Sequence, residues 1–327
     1  MNVSRHRPFA VFYAWTFAIP FVLALLFAYY PEPFFPLQGG PFVFLSLMHD
    51  TMARSGVTLR GGALLPLLQA VWGQPVLVIA VLASAIPSLV AIVLVAMKDG
   101  AGGLASLFGR LRPWLGGVKA SEGLSIWLRL MAVVVAVQLV TFVAQVLFSG
   151  AAGWTVSFNP ALLSAAAIPL LLEAMFLNQG GLLEELGFRG YGLPLLQGEM
   201  SPIKASVVLG LFWAFWHVSR DILFQTPAAM GLFAYGLILL PLFAIWCVGA
   251  TIVMAYFFNR TGGSVLATIA VHGFLNDGAQ LSGIVLGGNP MFQLAIRAVV
   301  VGGAGLLVFL IAGRALGRRG EDAAAKV

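Results

Sequence analysis

Apolar residues do not alternate with polar ones along most of this chain. They come in long unbroken runs, separated by short segments rich in Pro, Gly and basic residues. Such runs have neither the period of two of a half-buried strand nor the one-sided stripe of a surface helix, and about 20 consecutive apolar residues let a helix cross a bilayer. The pattern predicts eight spans, at 9–30, 75–97, 127–149, 161–198, 203–219, 230–258, 264–286 and 292–313. The stretch 161–198 is too long for one simple span. Asn178-Gln-Gly-Gly181 interrupts it, which predicts two helices or one kinked helix, although its glycines would also allow close helix packing. The expected fold class is all-α, a polytopic transmembrane helical bundle of about eight spans. Residues 1–159 form an N-terminal set of spans with an outer loop at 31–74 and a cytoplasmic loop at 98–126. A central block follows at 160–285, and 286–327 hold the last span and a basic tail.

The loops carry weaker signals. In 31–74, Pro31, Pro33, Pro36 and paired glycines punctuate short apolar pieces, leaving room for a re-entrant or interfacial helix. In 98–126, Gly102-Gly103 and Gly116-Gly117 bracket Leu104–Leu115, which reads equally as a headgroup-layer piece or a plain polar loop. The apolar run after Arg5 and Arg7 is longer than a signal-peptide core and has no evident small-residue cleavage site, so it is expected to be a retained first span. Residues 321–327 read as a disordered tail.

Composition sharpens this reading. The chain is 60% hydrophobic and only 9% charged, with mean hydropathy +0.97, more apolar surface than a soluble core can absorb. A net charge of +6 and a pI near 9.8 raise the question of nucleic acid. The basic residues, however, sit in short loops and tails: Lys98, Arg110, Arg112, Lys119, Arg129, Lys204, Arg260, Arg314, Arg318, Arg319 and Lys326. With the N-terminus cytoplasmic and eight crossings, all of these fall on the cytoplasmic side, leaving Arg54, Arg60, Arg220 and Arg297 outside. Topology explains the charge, and no nucleic-acid partner is expected. The partners expected are the lipid bilayer and a membrane-associated substrate. Abundant Ala, Leu, Gly and Arg hint at a GC-rich bacterial genome and hence a bacterial plasma membrane, with both termini cytoplasmic. Cys247 is the only cysteine, which rules out a disulfide framework and a cysteine-based zinc site.

Against this background the stretch Gly181-Leu-Leu-Glu-Glu-Leu-Gly-Phe-Arg-Gly190 stands out, because Glu184, Glu185 and Arg189 fall inside an apolar region. Each such group costs roughly 2.5–3.5 kcal/mol on insertion scales unless it finds a partner or water, so intramembrane charge marks a candidate site. Glu184 lies 14 residues before Gly198 and His217 lies 15 after Pro202, so a hairpin turning at 198–202 brings them to one depth, about 21 Å along each helix. His272 lies 12 residues beyond Arg260, about 18 Å by the same rise, and Asn276 follows it on the same helix face. Of four histidines, His6 and His49 sit in extramembrane segments and carry no such signal. Glu173, eleven residues before Glu184, would share its face if the helix were continuous. Asp277 points away from Asn276, and Trp213, Phe215 and Trp216 read as packing or interface anchors.

These residues resemble the signature of the CAAX-protease and bacteriocin-processing (CPBP, or ABI) intramembrane proteases, which include the prenyl-protein endopeptidases. That family carries Glu-Glu-x-x-x-Arg, Phe-x-x-x-His and His-x-x-x-Asn on three successive spans. Here they read Glu184-Glu185-Leu-Gly-Phe-Arg189, Trp213-Ala-Phe-Trp-His217 and His272-Gly-Phe-Leu-Asn276. Trp213 stands where the family usually has Phe, a change expected to affect pocket shape more than chemistry. The resemblance covers about 160–285 and implies a catalytic core there, with catalytic residues on three motif-bearing helices.

Peptide hydrolysis needs a base to activate water and donors for the developing oxyanion. Glu184 is the chosen general base, with His217 sharing the water. By family analogy His272 and Asn276 donate to the oxyanion. Arg189, one turn from Glu185, neutralises and orients the carboxylate pair, so Glu185, Arg189 and Trp213 are supporting residues. A metal reading uses the same residues, since Glu184, His217 and His272 form a two-His, one-carboxylate set of the kind that holds catalytic zinc or another divalent ion. With no His-Glu-x-x-His helix, the metal-free route is favoured and no cofactor is expected. A different class of function, a proton-coupled transporter or a scaffold or immunity protein keeping the family's residues, needs the ionisable groups but not the His272 and Asn276 donors. Prenylated CAAX peptides, bacteriocin precursors or leaders and membrane-embedded signalling proteins are all substrates the resemblance allows. Nothing in the sequence sets the oligomeric state.

Overall fold

The computed structural model describes residues 7–29, 64–73, 78–223, 230–277, 284–287 and 290–318. Its helices are α1 (Arg7–Tyr29), α2 (Leu64–Gly73), α3 (Val78–Gly109), α4 (Ala120–Ala152), α5 (Ala167–Phe176), α6 (Gln179–Gly187), α7 (Leu193–Gln197), α8 (Pro202–Leu223), α9 (Leu232–Arg260), α10 (Val265–Asn276) and α11 (Pro290–Ala312). A wide π turn at Phe188–Gly192 joins α6 to α7, and another at Tyr235–Leu239 lies within α9.

The chain is an all-α, polytopic membrane protein. Among the described residues four helical segments are long and apolar enough to cross a bilayer: Val81–Gly109, Ala120–Ala152, Leu232–Arg260 and Met291–Ala315. Their outward faces keep large apolar side chains exposed, among them Val93, Met97, Leu128, Leu147, Val299, Leu310 and Ile311. Soluble monomers rarely expose apolar area on that scale, whereas lipid tails accept it.

Several expectations need correction. The span at 264–286 is not one helix: α10 ends at Asn276, and Ile284–Gly287 is a strand (β2) that pairs antiparallel with Trp154–Ser157 (β1). This ribbon, with β-branched Thr155, Val156, Ile284 and Val285, is the one departure from helix-only structure among the described residues. The segment 98–126 is mostly helical, because α3 runs on to Gly109 through a break at Gly100, whose φ of 61° a side chain would resist. The long 161–198 element divides at Leu177–Asn178, so Glu173 and Glu184 lie on different helices and the shared face does not exist. Of the outer loop at 31–74, only the helix α2 is described. His6, His49, Arg54, Arg60 and the tail at 321–327 lie outside the described residues.

Packing holds the motif helices at the centre. α6 lies between α3 and α10, α8 lies between α1 and α9, and α9 also packs on α11. Ser88 of α3 clamps the far end of α6, donating to the Leu183 carbonyl at 2.6 Å and accepting from the Gly187 amide at 3.2 Å. α1 runs in the same direction as α8, with Tyr13 donating to the Phe212 carbonyl and Trp216 to the Thr16 carbonyl. Every residue of α10 from Val265 to Leu275 except Leu266 is buried, the mark of a helix at the core of a bundle. Gly273 makes this burial feasible, since a Cβ there would come within 2.2 Å of the Ala174 carbonyl oxygen of α5.

Turns carrying the basic residues gather at one end of the bundle. The Leu115 amide donates to the Thr261 carbonyl and the Val265 amide to the Arg110 carbonyl, while Arg260 pairs with Glu122 and Arg318 donates to the Gln197 carbonyl.

Candidate active site

Each motif helix is fixed by contacts that its own sequence provides. Asn178 caps α6, its Oδ1 accepting from the Gly181 amide at 2.9 Å. Ser264 caps α10, accepting from the Ala267 amide at 3.2 Å while donating to the Arg112 carbonyl at 2.6 Å. The last carbonyls of α10 have no partner within the helix. Gln138 of α4 donates to the Phe274 carbonyl, Arg297 of α11 to the Leu275 carbonyl, and the Asp277 amide to the Gly273 carbonyl. Two other helices, α4 and α11, thereby pin the end that carries Asn276.

The two adjacent carboxylates have separate surroundings. Glu185 Oε1 accepts from Arg189 Nη1 and from His272 Nδ1, each at 2.7 Å, and all three side chains are buried. Arg189 reaches on through Nη2 to Thr251 Oγ1 at 2.7 Å. Glu184, also buried, accepts from the indole Nε1 of Trp213 at 2.9 Å through Oε2.

Trp213 is the hub. Besides its bond to Glu184, its ring lies 4.3 Å from the Arg189 guanidinium carbon, a cation–π contact, and meets the His272 ring edge-on at 4.9 Å and the His217 ring at 5.7 Å. The expectation that replacing Phe by Trp would alter shape more than chemistry is therefore incomplete. Phe has no N–H, so the donor to Glu184 is a chemical addition.

Hydrogen bonding places a hydrogen on Nδ1 of both histidines. His217 Nδ1 faces the Trp213 carbonyl at 2.9 Å, and a carbonyl only accepts, so Nδ1 carries the hydrogen and the neutral ring keeps a lone pair on Nε2. His272 Nδ1 likewise donates to Glu185, which turns Nε2 away from the carboxylate. Phe243 and Trp216 meet the His217 ring edge-on at 4.7 and 4.8 Å and hold it in place.

The residues expected from sequence, Glu184, Glu185, Arg189, Trp213, His217, His272 and Asn276, thus form one connected group on α6, α8 and α10 and the π turn that follows α6. No direct hydrogen bond joins Glu184 to His217; Trp213 links them. Among the described residues no three His, Cys, Asp or Glu side chains stand close enough to share one metal ion, so Glu184, His217 and His272 do not form a ready ligand set. Sequence reasoning missed Asn178, whose Oδ1 also accepts from Asn276 Nδ2 at 3.1 Å, and Thr251, the second partner of Arg189. An Asn three residues before a helical amide is a cap signal that could have flagged the first. Thr251 lies 62 residues from Arg189, beyond any local pattern.

Residues 164–277 match the family model described as type II CAAX prenyl endopeptidase Rce1-like, a stretch that contains every one of these residues. Over this stretch the chain is similar to the CAAX-protease (CPBP) family. The CAAX prenyl protease 2 of Methanococcus maripaludis is 40% identical over 75 residues. That similarity covers 23% of this chain and 23% of the relative, so less than a quarter of either protein is compared.

Proposed function

We propose that this protein is an intramembrane endopeptidase that hydrolyses a peptide bond in a membrane-associated protein, lipidated substrates included. The observation that carries the reading is the convergence of Glu184, His217 and His272, from three helices, on the buried ring of Trp213. The match of 164–277 to a CAAX prenyl endopeptidase family model supports it.

In this reading Glu184 and the free Nε2 of His217 activate a water whose oxygen attacks the scissile carbonyl carbon. Its proton passes to this pair and returns to the leaving amine as the C–N bond breaks. His272 Nε2 and Asn276 Nδ2 donate to the oxyanion. A His272 ring that donates from both nitrogens is an imidazolium, and the Glu185 carboxylate at 2.7 Å supplies its counter-charge. Arg189 balances the second carboxylate and stays out of the reaction. Because the donor side chains do not form a three-ligand set, no step is routed through a metal; Zn2+ or another divalent ion is the alternative that the test addresses.

The gathering of Arg110, Arg112, Lys119, Arg260, Arg314 and Arg318 near one end of the bundle supports a cytoplasmic orientation for that end.

The test is cleavage of a fluorogenic peptide library with prenylated members by reconstituted protein, comparing wild type, Glu184→Gln and His217→Ala, each with and without a strong zinc chelator. Cleavage lost in both variants and indifferent to chelator is the expected result. Loss on chelation with recovery on adding metal would move these residues to ligand roles. Cleavage equal in all three proteins, or absent from all, would favour a non-proteolytic transporter or scaffold.

A further inference from the structure

The break between α5 and α6 contributes more than a change of direction. Asn178 is fully buried, and its Oδ1 accepts twice, from the Gly181 amide and from Asn276 Nδ2. A backbone N–H only donates, so the Asn178 atom facing Gly181 is the oxygen; that oxygen only accepts, so the Asn276 atom facing it is the amino nitrogen. An Asn amide can otherwise turn end for end, exchanging donor and acceptor with little change in shape. Two successive constraints, starting from the α6 backbone, therefore decide that Asn276 presents N–H groups on this side.

Gly180 contributes the second observation. A Cβ built there would lie 2.9 Å from both Asn276 Nδ2 and His272 Nε2, so the two nitrogens face one small volume bounded by a residue without a side chain. Gly180 sits in α6 and is not among the glycines with positive φ, so backbone conformation does not demand glycine. Glycine within a helix is disfavoured by roughly 0.5–1 kcal/mol relative to Ala. Space, rather than conformation, is what glycine provides at this position.

We propose that Asn178 and Gly180 form a fourth element of the active site. Asn178 is a positioning residue that holds the Asn276 amide with its amino group toward the substrate. Gly180 keeps open the volume in front of Asn276 Nδ2 and His272 Nε2 that receives the oxygen of the scissile peptide carbonyl. This rests on the endopeptidase reading above.

The experiment measures kcat, KM and Tm for wild type, Asn178→Ser, Asn178→Ala, Gly180→Ala and Glu184→Gln on a peptide from the library. Ser caps a helix about as well as Asn. Its oxygen, however, ends one bond short, about 1.2 Å, which carries the 3.1 Å contact to Asn276 out of hydrogen-bond range. Asn178→Ser and Asn178→Ala are both expected to lower kcat by tenfold or more, approaching the roughly 100-fold loss of a missing oxyanion donor, with KM little changed. Asn178→Ala, which also loses the cap, should lower Tm more than Asn178→Ser. Gly180→Ala should lose kcat to a similar degree with at most a small fall in Tm, since a Cβ 2.9 Å from Asn276 Nδ2 and His272 Nε2 makes those side chains shift.

Wild-type kcat in Asn178→Ser would reduce Asn178 to a helix cap, and wild-type kcat in Gly180→Ala would remove the role of that space; either result overturns the corresponding half of the proposal while Glu184→Gln remains inactive. Equal cleavage by wild type and Glu184→Gln, or none by wild type, overturns the endopeptidase reading itself and this proposal with it. The contact alone is then read from a Tm cycle of Asn178→Ser with Asn276→Ala, where additive losses would show that the two side chains do not interact.

Discussion

Arg189→Met offers a stringent test of how the motif is held together. The Arg189 guanidinium is fully buried, with Nη1 on Glu185 and Nη2 on Thr251, each at 2.7 Å, and its carbon lies 4.3 Å from the Trp213 ring. Met retains most of the aliphatic volume and removes the charge. Glu184 and Glu185 would then be two buried carboxylates facing the single counter-charge of His272, which leaves one of them uncompensated. Breaking a buried pair by removing one member costs about 3–5 kcal/mol, because the uncompensated charge stays behind. For a chain of this size each kcal/mol shifts Tm by about 2 °C, so a fall of about 6–10 °C is expected. Adding Glu185→Gln removes the stranded charge, and the amide oxygen still accepts from His272 Nδ1. The double variant should therefore recover most of the lost stability, since replacing both members of a buried pair is often close to neutral. The assay is intrinsic Trp fluorescence during heating of purified protein in one detergent at one scan rate. A single variant as stable as wild type, or a double variant no better than the single, would refute the buried ion pair as the element that stabilises this motif.

Other outcomes follow from the same contacts. Trp213→Phe keeps a ring at the hub and removes the donor to Glu184; a hydrogen bond to a charged group is worth about 1.5–3 kcal/mol, so kcat/KM should fall about 10- to 150-fold on the cleaved peptide. Glu184→Gln leaves an oxygen to accept from Trp213 and should lose cleavage with little change in Tm, whereas Glu185→Gln strands Arg189 and should lower Tm by several degrees. Ser264→Ala removes the cap of α10 and should lower stability by about 1 kcal/mol, read as a modest drop in Tm with kcat retained. Cys247 is buried, so background labelling is low: a cysteine placed at Glu199 or Arg314 should react with an impermeant maleimide only after the cells are opened, and reaction in intact cells would invert the orientation.

The divide between what the sequence discloses and what it conceals follows the range of the interactions. Apolar runs identify spanning helices because the bilayer imposes length and composition locally, and Glu185 with Arg189 is legible because a helix sets residues four apart side by side. The common depth of Glu184, His217 and His272 follows from counting rise away from turns, which needs only the hairpin. Local rules cannot show that α10 stops at Asn276 so that its last carbonyls can be met by Gln138 and Arg297, or that Ile284–Gly287 leaves helix to pair with a strand 130 residues earlier. Asn178 is the instructive case: as sequence it is a helix breaker, and only when α10 is laid against α6 does its oxygen acquire a second donor in Asn276. Trp213 follows the same logic from the other side. Its ring suits an apolar core, so hydropathy alone assigns it to packing, yet a fully buried indole N–H is costly without an acceptor. The acceptor nearest at hand is a carboxylate that in turn needs a donor. Two burial penalties met by one bond explain why Trp is tolerated where Phe is usual, and they tie this departure from the CAAX-protease pattern directly to Glu184.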